Sequence, residues 1–319
     1  MNELLAQIFT VTTLAVILAK TTPLLLAAIG GAATQMGNIL NIGLEGMMLM
    51  GAFTGVVVGS ALGNPYLGVL AAMLAGLLLA VIFAVASLWL KADFIVVGIG
   101  VNFLALGLTI LMLQVFFGNP GVTPGNVKSN LPKMNLGPLG DIPVIGPMLN
   151  NQTLLVWFAL ILVPVYAFIL YRTRYGVHLR AVGEDEPAAV AAGIDVTRVK
   201  FISILVSGAL SGIAGAQLSM ATLGSFTSNM TSSRGFIAVA ALTFGLARPY
   251  RTFIACLIFG AADAVADRLG LAGVNSSLAL MTPYVVTIVA LVFASLRVRS
   301  ALAARARKAL DHVGAPAAA

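Results

Sequence analysis

Apolar runs close to twenty residues long, separated by short polar or glycine- and proline-bearing breaks, form the dominant pattern of this chain. A helix needs about 20 apolar residues to cross the hydrocarbon core of a bilayer. Candidate spans fall at roughly 4–19, 22–38, 42–62, 66–90, 95–117, 153–171, 200–221, 236–247, 252–270 and 280–296. Lys20 and Pro23 divide the first two runs, and Asn41-Ile42-Gly43 divides the second from the third. The run at 236–247 is too short to cross unless it is half of a broken helix. The expected fold is an all-α, polytopic transmembrane bundle of eight to ten spans over residues 1–300, followed by a basic to disordered cytoplasmic tail over 301–319.

Composition supports the bilayer as solvent. Hydrophobic residues make up 60% of the 319 and charged ones 9%, with a mean hydropathy of +1.02. Soluble domains carry about 25% charged residues. The 33 glycines suit helices packed closely in lipid. The net charge of +7 is no nucleic-acid signal, because the basic residues cluster at the ends of apolar runs. Arg172, Arg174, Arg180, Arg198 and Lys200 form one cluster, Arg248 and Arg251 a second, and Arg297, Arg299, Arg305, Arg307 and Lys308 a third. The positive-inside rule makes all three cytoplasmic, the C-terminus included, and puts the Gly-, Pro- and Asn-rich stretch 118–152 outside. The N-terminus lacks a basic leader and a clear cleavage site, so it is expected as a retained span. Cys256 has no second cysteine to pair with, and His178 and His312 lack metal-ligand spacing.

Between the sixth and seventh apolar runs lies Leu179-Arg-Ala-Val-Gly183-Glu184-Asp185-Glu186-Pro187-Ala188-Ala189-Val-Ala-Ala-Gly193-Ile-Asp195. Proline suits the first helical turn, acids there complement the helix dipole, and glycine suits the C-terminal cap. A short helix over roughly 186–192 follows. It can dock into a partner and transmit a push, or serve as a plain connector.

This loop resembles the cytoplasmic coupling loop of ABC importer permeases, in the form shared by sugar, branched-chain amino acid and nucleoside systems. Ser207-Gly-Ala-Leu-Ser-Gly-Ile-Ala-Gly215-Ala216 and Lys91-Ala-Asp-Phe-Ile-Val-Val-Gly98 resemble the same family. Asn41-Ile-Gly-Leu-Glu45-Gly46-Met-Met-Leu-Met-Gly-Ala52 and Arg234-Gly-Phe-Ile-Ala-Val-Ala-Ala241 are similar to its nucleoside branch, whose importers use a lipoprotein binding subunit. The resemblance implies a bacterial inner-membrane subunit without catalytic chemistry or cofactor of its own. ATP would be bound by a separate ATPase docked at Gly183, Glu184, Asp185, Glu186, Pro187, Ala188, Ala189 and Gly193. It further implies a second permease chain, as heterodimer or homodimer, an extracytoplasmic solute-binding lipoprotein, and a small polar solute. One departure stands out: where branch members commonly read Glu-Arg-Ser-Gly, this chain has Gln35-Met36-Gly37-Asn38. Two charges are missing, which leaves nucleobases or sugar-like solutes open.

Within the membrane, Glu45 is expensive to bury, about 2.5–3.5 kcal/mol at mid-bilayer on insertion scales. It either lines the solute pathway with Asn41 and Asn102 or caps a helix start near Gly46. Asn102, the deeper of the two polar interruptions in its run with Gln114, is a pathway candidate or interhelical glue. Arg234 is a possible partner of Glu45 or an outer-surface residue. Asp263, Asp267 and Arg268 are expected to balance one another structurally near the outer interface, and Met47, Met48 and Met50 to fill packing gaps. The starts of 41–52 and 231–241 echo each other faintly, each placing a charge before a glycine. No phosphate-binding Gly-Lys-Ser/Thr loop and no hydrolytic constellation occurs in the sequence. Energy for transport must come from a partner ATPase or, in an alternative of a different class, from an ion gradient.

Overall fold

The computed structural model describes residues 11–134, 150–271 and 285. The chain forms two compact units, residues 1–264 and 265–319. In the second, the described residues are the last turns of one helix and the exposed Val285.

The helices, in chain order, are α1 (Val11–Met36), α2 (Leu44–Ala61), α3 (Pro65–Ala84), α4 (Phe94–Phe117), α5 (Leu154–Arg172), α6 (Arg174–Glu184), α7 (Glu186–Ala191), α8 (Val196–Met220), α9 (Arg234–Phe244) and α10 (Pro249–Leu271). A π-helical turn, Val85–Trp89, extends α3. Seven helices among the described residues are long and apolar enough to cross a membrane, and α9 is the shorter apolar one. The chain is a polytopic helical bundle. The run at 280–296, the third basic cluster and the tail lie outside the described residues.

The first two expected spans are one helix. Pro23 sits inside α1 without ending it. Proline removes one main-chain donor, yet membrane helices tolerate it where neighbouring hydroxyls satisfy nearby carbonyls. Thr21 and Thr22 donate to the Ile17 and Leu18 carbonyls at 2.7 and 2.8 Å. Lys20 also fails to break the helix, because it has an acidic partner on α10.

The core is built on small residues spaced four apart. Gly51, Gly55 and Gly59 line α2; Gly68, Ala72, Gly76 and Ala80 line α3; Gly208, Gly212 and Ala216 line α8. These ladders mesh: a Cβ on Gly51 would lie 2.6 Å from the Gly212 Cα, and one on Gly76 2.9 Å from it. Association in lipid depends on such close packing, since water drives no apolar collapse there. Over their apolar stretches α1, α2 and α8 are 67%, 72% and 72% buried, against 22% for α4, so the first three form the centre and α4 faces outward.

Two ends can be told apart. At one, Gln35, Met36, Arg180, Glu184 and Arg248 line a single cleft, which joins the first two basic clusters. At the other, 122–131 lies along 220–227: Thr123, Ser129 and Leu131 donate main-chain hydrogen bonds to Phe226, Gly224 and Met220. A two-stranded antiparallel ribbon, β1 (Lys133–Met134) with β2 (Gln152–Thr153), sits in the same connection. The stretch expected as an external loop is therefore partly an inward-packed lining, with Thr123, Ser129 and Leu131 buried.

Candidate functional site

The short helix of the basic end is the first candidate. The acid-proline-alanine sequence gives α7 with sharp ends. Asp185 caps it by accepting from the Ala188 N–H at 3.0 Å. Gly193 follows the last turn at φ +78°, a left-handed conformation that glycine adopts without cost. Pro187 lies in the first turn. The expected 186–192 is thus observed as Glu186–Ala191, and α6, which was not expected, precedes it.

α7 is anchored on one side and open on the other. Ala189 is buried, while Ala188, Val190, Ala191 and Gly193 are exposed. Glu186 accepts from Lys200 Nζ at 2.7 Å, linking α7 to the first turn of α8; Lys200 is itself buried. The Tyr175 hydroxyl of α6 donates to the Val199 carbonyl at 3.3 Å, and burial pushes its pKa up to about 12, so it remains a donor. Gly183 packs on the Met36 carbonyl so closely that a Cβ has no room, and a Cβ on Gly37 would meet Leu179 at 3.1 Å. α7 is consequently linked to two central helices: directly to α8, and through α6 to the end of α1. Glu184 and Asp185 are exposed.

The second candidate is the membrane-embedded break between α1 and α2. Asn41 is buried; its amide accepts from the Gly43 N–H at 2.9 Å and donates to the Ser207 hydroxyl at 3.0 Å. Asn102 of α4 accepts from the Gly46 N–H at 2.8 Å and donates to the Ile42 carbonyl at 3.1 Å. The two asparagines supply the main-chain partners that the interrupted helix cannot supply for itself.

Glu45 caps neither its own helix nor the Arg234 guanidinium. Its carboxylate accepts from the Ser233 N–H at 2.9 Å and the Gly235 N–H at 2.5 Å, at the N-terminus of α9. Helix N-termini favour anions through both their free N–H groups and their dipole. A Cβ on Gly235 would lie 2.5 Å from the Glu45 Cα, so the approach needs glycine. The two echoing segments thus meet here, and each glycine after the charge, Gly46 and Gly235, donates its N–H to a side chain from another helix.

Arg234 instead pairs with Asp263 at 3.3 Å, and Lys20 reaches the same carboxylate oxygen at 3.6 Å. The three side chains are 15–22% exposed. Asp263 is thus balanced from α1 and the start of α9. Sequence reasoning missed this cluster because its members are far apart in the chain. Before α9, Asn229, Ser232 and Ser233 all have positive φ, an unfavourable conformation for residues with a Cβ.

Gln35 and Met36 do not lie beside Glu45. They line the cleft at the basic end, with Tyr171, Arg180, Gly183, Glu184 and Arg248. The missing charges therefore bear on that end, next to α6, and not on the deep break.

Residues 13–293 match the family described as branched-chain amino acid transport system / permease component. The chain belongs to this family. Similar relatives include the nucleoside ABC transporter permease protein NupC of Lactococcus lactis, 36% identical over 88% of this chain and 92% of that protein. The guanosine ABC transporter permease protein NupQ of Bacillus subtilis is also 36% identical, over 84% and 87% of the two chains. The putative glucose ABC transporter permease protein TsgC13 of Haloferax volcanii is 33% identical over 88% and 90%.

Proposed function

We propose that this chain is the membrane-spanning permease subunit of an ATP-driven importer for nucleosides. The observation that carries this reading is the anchorage of α7: a small exposed surface joined to α8 by Lys200–Glu186 and to α1 through Gly183 against Met36. A partner ATPase gripping Gly183–Gly193 moves both central helices together, with no covalent step in this subunit. ATP is bound by that partner. A second permease chain and an extracytoplasmic solute-binding lipoprotein complete the assembly, and the basic end, with the C-terminus, faces the cytoplasm of a bacterial inner membrane.

The pathway runs past the break braced by Asn41 and Asn102 and the start of α9 held by Glu45. An uncharged solute suits this arrangement, because Glu45 already occupies the N–H groups at which an anionic solute would bind. Relatives named for nucleosides and guanosine support that class.

Reconstitution tests the proposal. Uptake of labelled guanosine into proteoliposomes should require ATP, the partner ATPase and the partner permease. Uptake by this chain alone under an ion gradient, with no ATPase co-purifying from native membrane, would replace it with an ion-coupled carrier.

A further inference from the structure

The cleft at the basic end has features that α7 docking does not use. It holds a volume of about 730 Å³ between the end of α1, the α5–α6 junction and the turn before α10. Arg180 and Arg248 both line it, and neither has a carboxylate within ion-pairing distance among the described residues. The Arg180 guanidinium lies 5.6 Å from the centre of the Tyr171 ring, which keeps it at the wall. Glu184 also lines the cleft, leaving one positive charge in excess. Gln35 also lines the cleft.

The apolar surface leading to this cleft is continuous. Phe158, Ile161, Val165, Phe168 and Tyr171 are all exposed on α5 at spacings of three and four, one face of the helix, and Tyr171 ends that face at the cleft. A cationic pocket at the end of membrane-crossing helices, opening onto an apolar helix face, fits a molecule with an anionic head and hydrocarbon tails. Basic pockets between spans hold lipid headgroups in this way.

We propose that the cleft binds a phosphate oxyanion, supplied by an anionic phospholipid. The phosphate lies between Arg180 and Arg248, and the acyl chains run along the Phe158–Tyr171 face. The bound lipid touches α1, α6 and the turn before α10 together, beside Gly183.

The test uses the full chain, delipidated in detergent, with retained lipid counted by native mass spectrometry. Phosphatidylglycerol should bind in preference to phosphatidylcholine. Each of Arg180→Gln and Arg248→Gln should weaken it roughly fivefold and the pair roughly 30-fold, from about 1 kcal/mol per arginine at a membrane surface. Arg251→Gln, which changes an exposed arginine outside the cleft, should leave binding unchanged. Phosphatidylglycerol binding unaffected in the double variant overturns the proposal. Equal competition by glycerol phosphate overturns the lipid as its source. Displacement of the lipid by a co-purified protein partner assigns the cleft to that partner and overturns it as well. Size-exclusion profiles identical to the parent's keep the variants interpretable.

Discussion

The Glu45 carboxylate accepts the Gly235 N–H at 2.5 Å across 190 positions of sequence, joining the start of α2 to the start of α9. Two helices that each begin inside the bundle are thus held at one point. Glu45→Gln exchanges one acceptor oxygen for an NH2 group facing main-chain donors, and it removes the charge that complements the α9 dipole. An unsatisfied buried group costs about 1–3 kcal/mol. Transport should fall several-fold while membrane abundance stays near the parent's, because the bundle core is untouched. Unaltered uptake kinetics would return Glu45 to a purely structural role.

Gly183→Ala puts a methyl group against the Met36 carbonyl, where no room exists. α6 must shift away from α1. We expect the variant to insert normally and to hydrolyse ATP in the assembled transporter, with less solute moved per ATP. Charge reversal at the exposed Glu184, by Glu184→Lys, should weaken ATPase association. Normal coupling in both variants counts against the lever.

Lys200 and Glu186 offer a double-mutant cycle. Glu186 is half exposed, so the pair is worth about 0.2–1 kcal/mol, the range of surface pairs. Glu186→Gln alone leaves a buried ammonium without its carboxylate and should lower thermal stability more than the combination with Lys200→Met. Additive effects would show that the two side chains do not interact.

Asp263→Asn removes the carboxylate that both Lys20 and Arg234 approach. Intramembrane cations cost about 2.5–3.5 kcal/mol each on insertion scales. Abundance in the membrane should drop, and Asp263→Glu should restore part of it. Parent-level abundance for Asp263→Asn would remove this cluster from the fold's requirements.

Gly212→Val tests the small-residue ladders, since α2 and α3 both reach this position. Overpacking a tight interface costs about 1–3 kcal/mol, and in lipid no water-driven collapse offsets it. The expected result is loss of folded protein on detergent extraction; a stable variant would contradict the close packing.

Features written in local chemistry were legible in the sequence. α7 is announced by Asp185, Pro187 and Gly193, each of which acts within a few residues, and the observed helix differs by one residue at its end. The glycine-rich segment 207–216 was recognisable as part of a family pattern, although its role as the centre of a three-helix interface needed the partners on α2 and α3. Lys20 and Pro23 misled because both are ordinarily boundaries. The helix runs on through both: Thr21 and Thr22 bond carbonyls one turn back, and Lys20 meets an aspartate more than two hundred positions ahead. Asn41 and Asn102 were singled out as polar residues in apolar surroundings, yet nothing local indicates that their partners are main-chain groups of a helix break. Glu45 was conspicuous for the same reason. Its partners are main-chain N–H groups, and these carry no sequence signal at all.

α9 has eleven residues, and at 1.5 Å per residue it is about 16 Å long, roughly half the thickness of the hydrocarbon core. Above it the chain is irregular from 221 to 233 and pairs with 122–131 rather than with lipid. At this place regular helix accounts for only about half the depth of a hydrocarbon core, and packed irregular chain takes up the rest. Under the proposed function, a tilt of this one short helix is enough to alter the barrier, so the stroke asked of the partner ATPase is a small one.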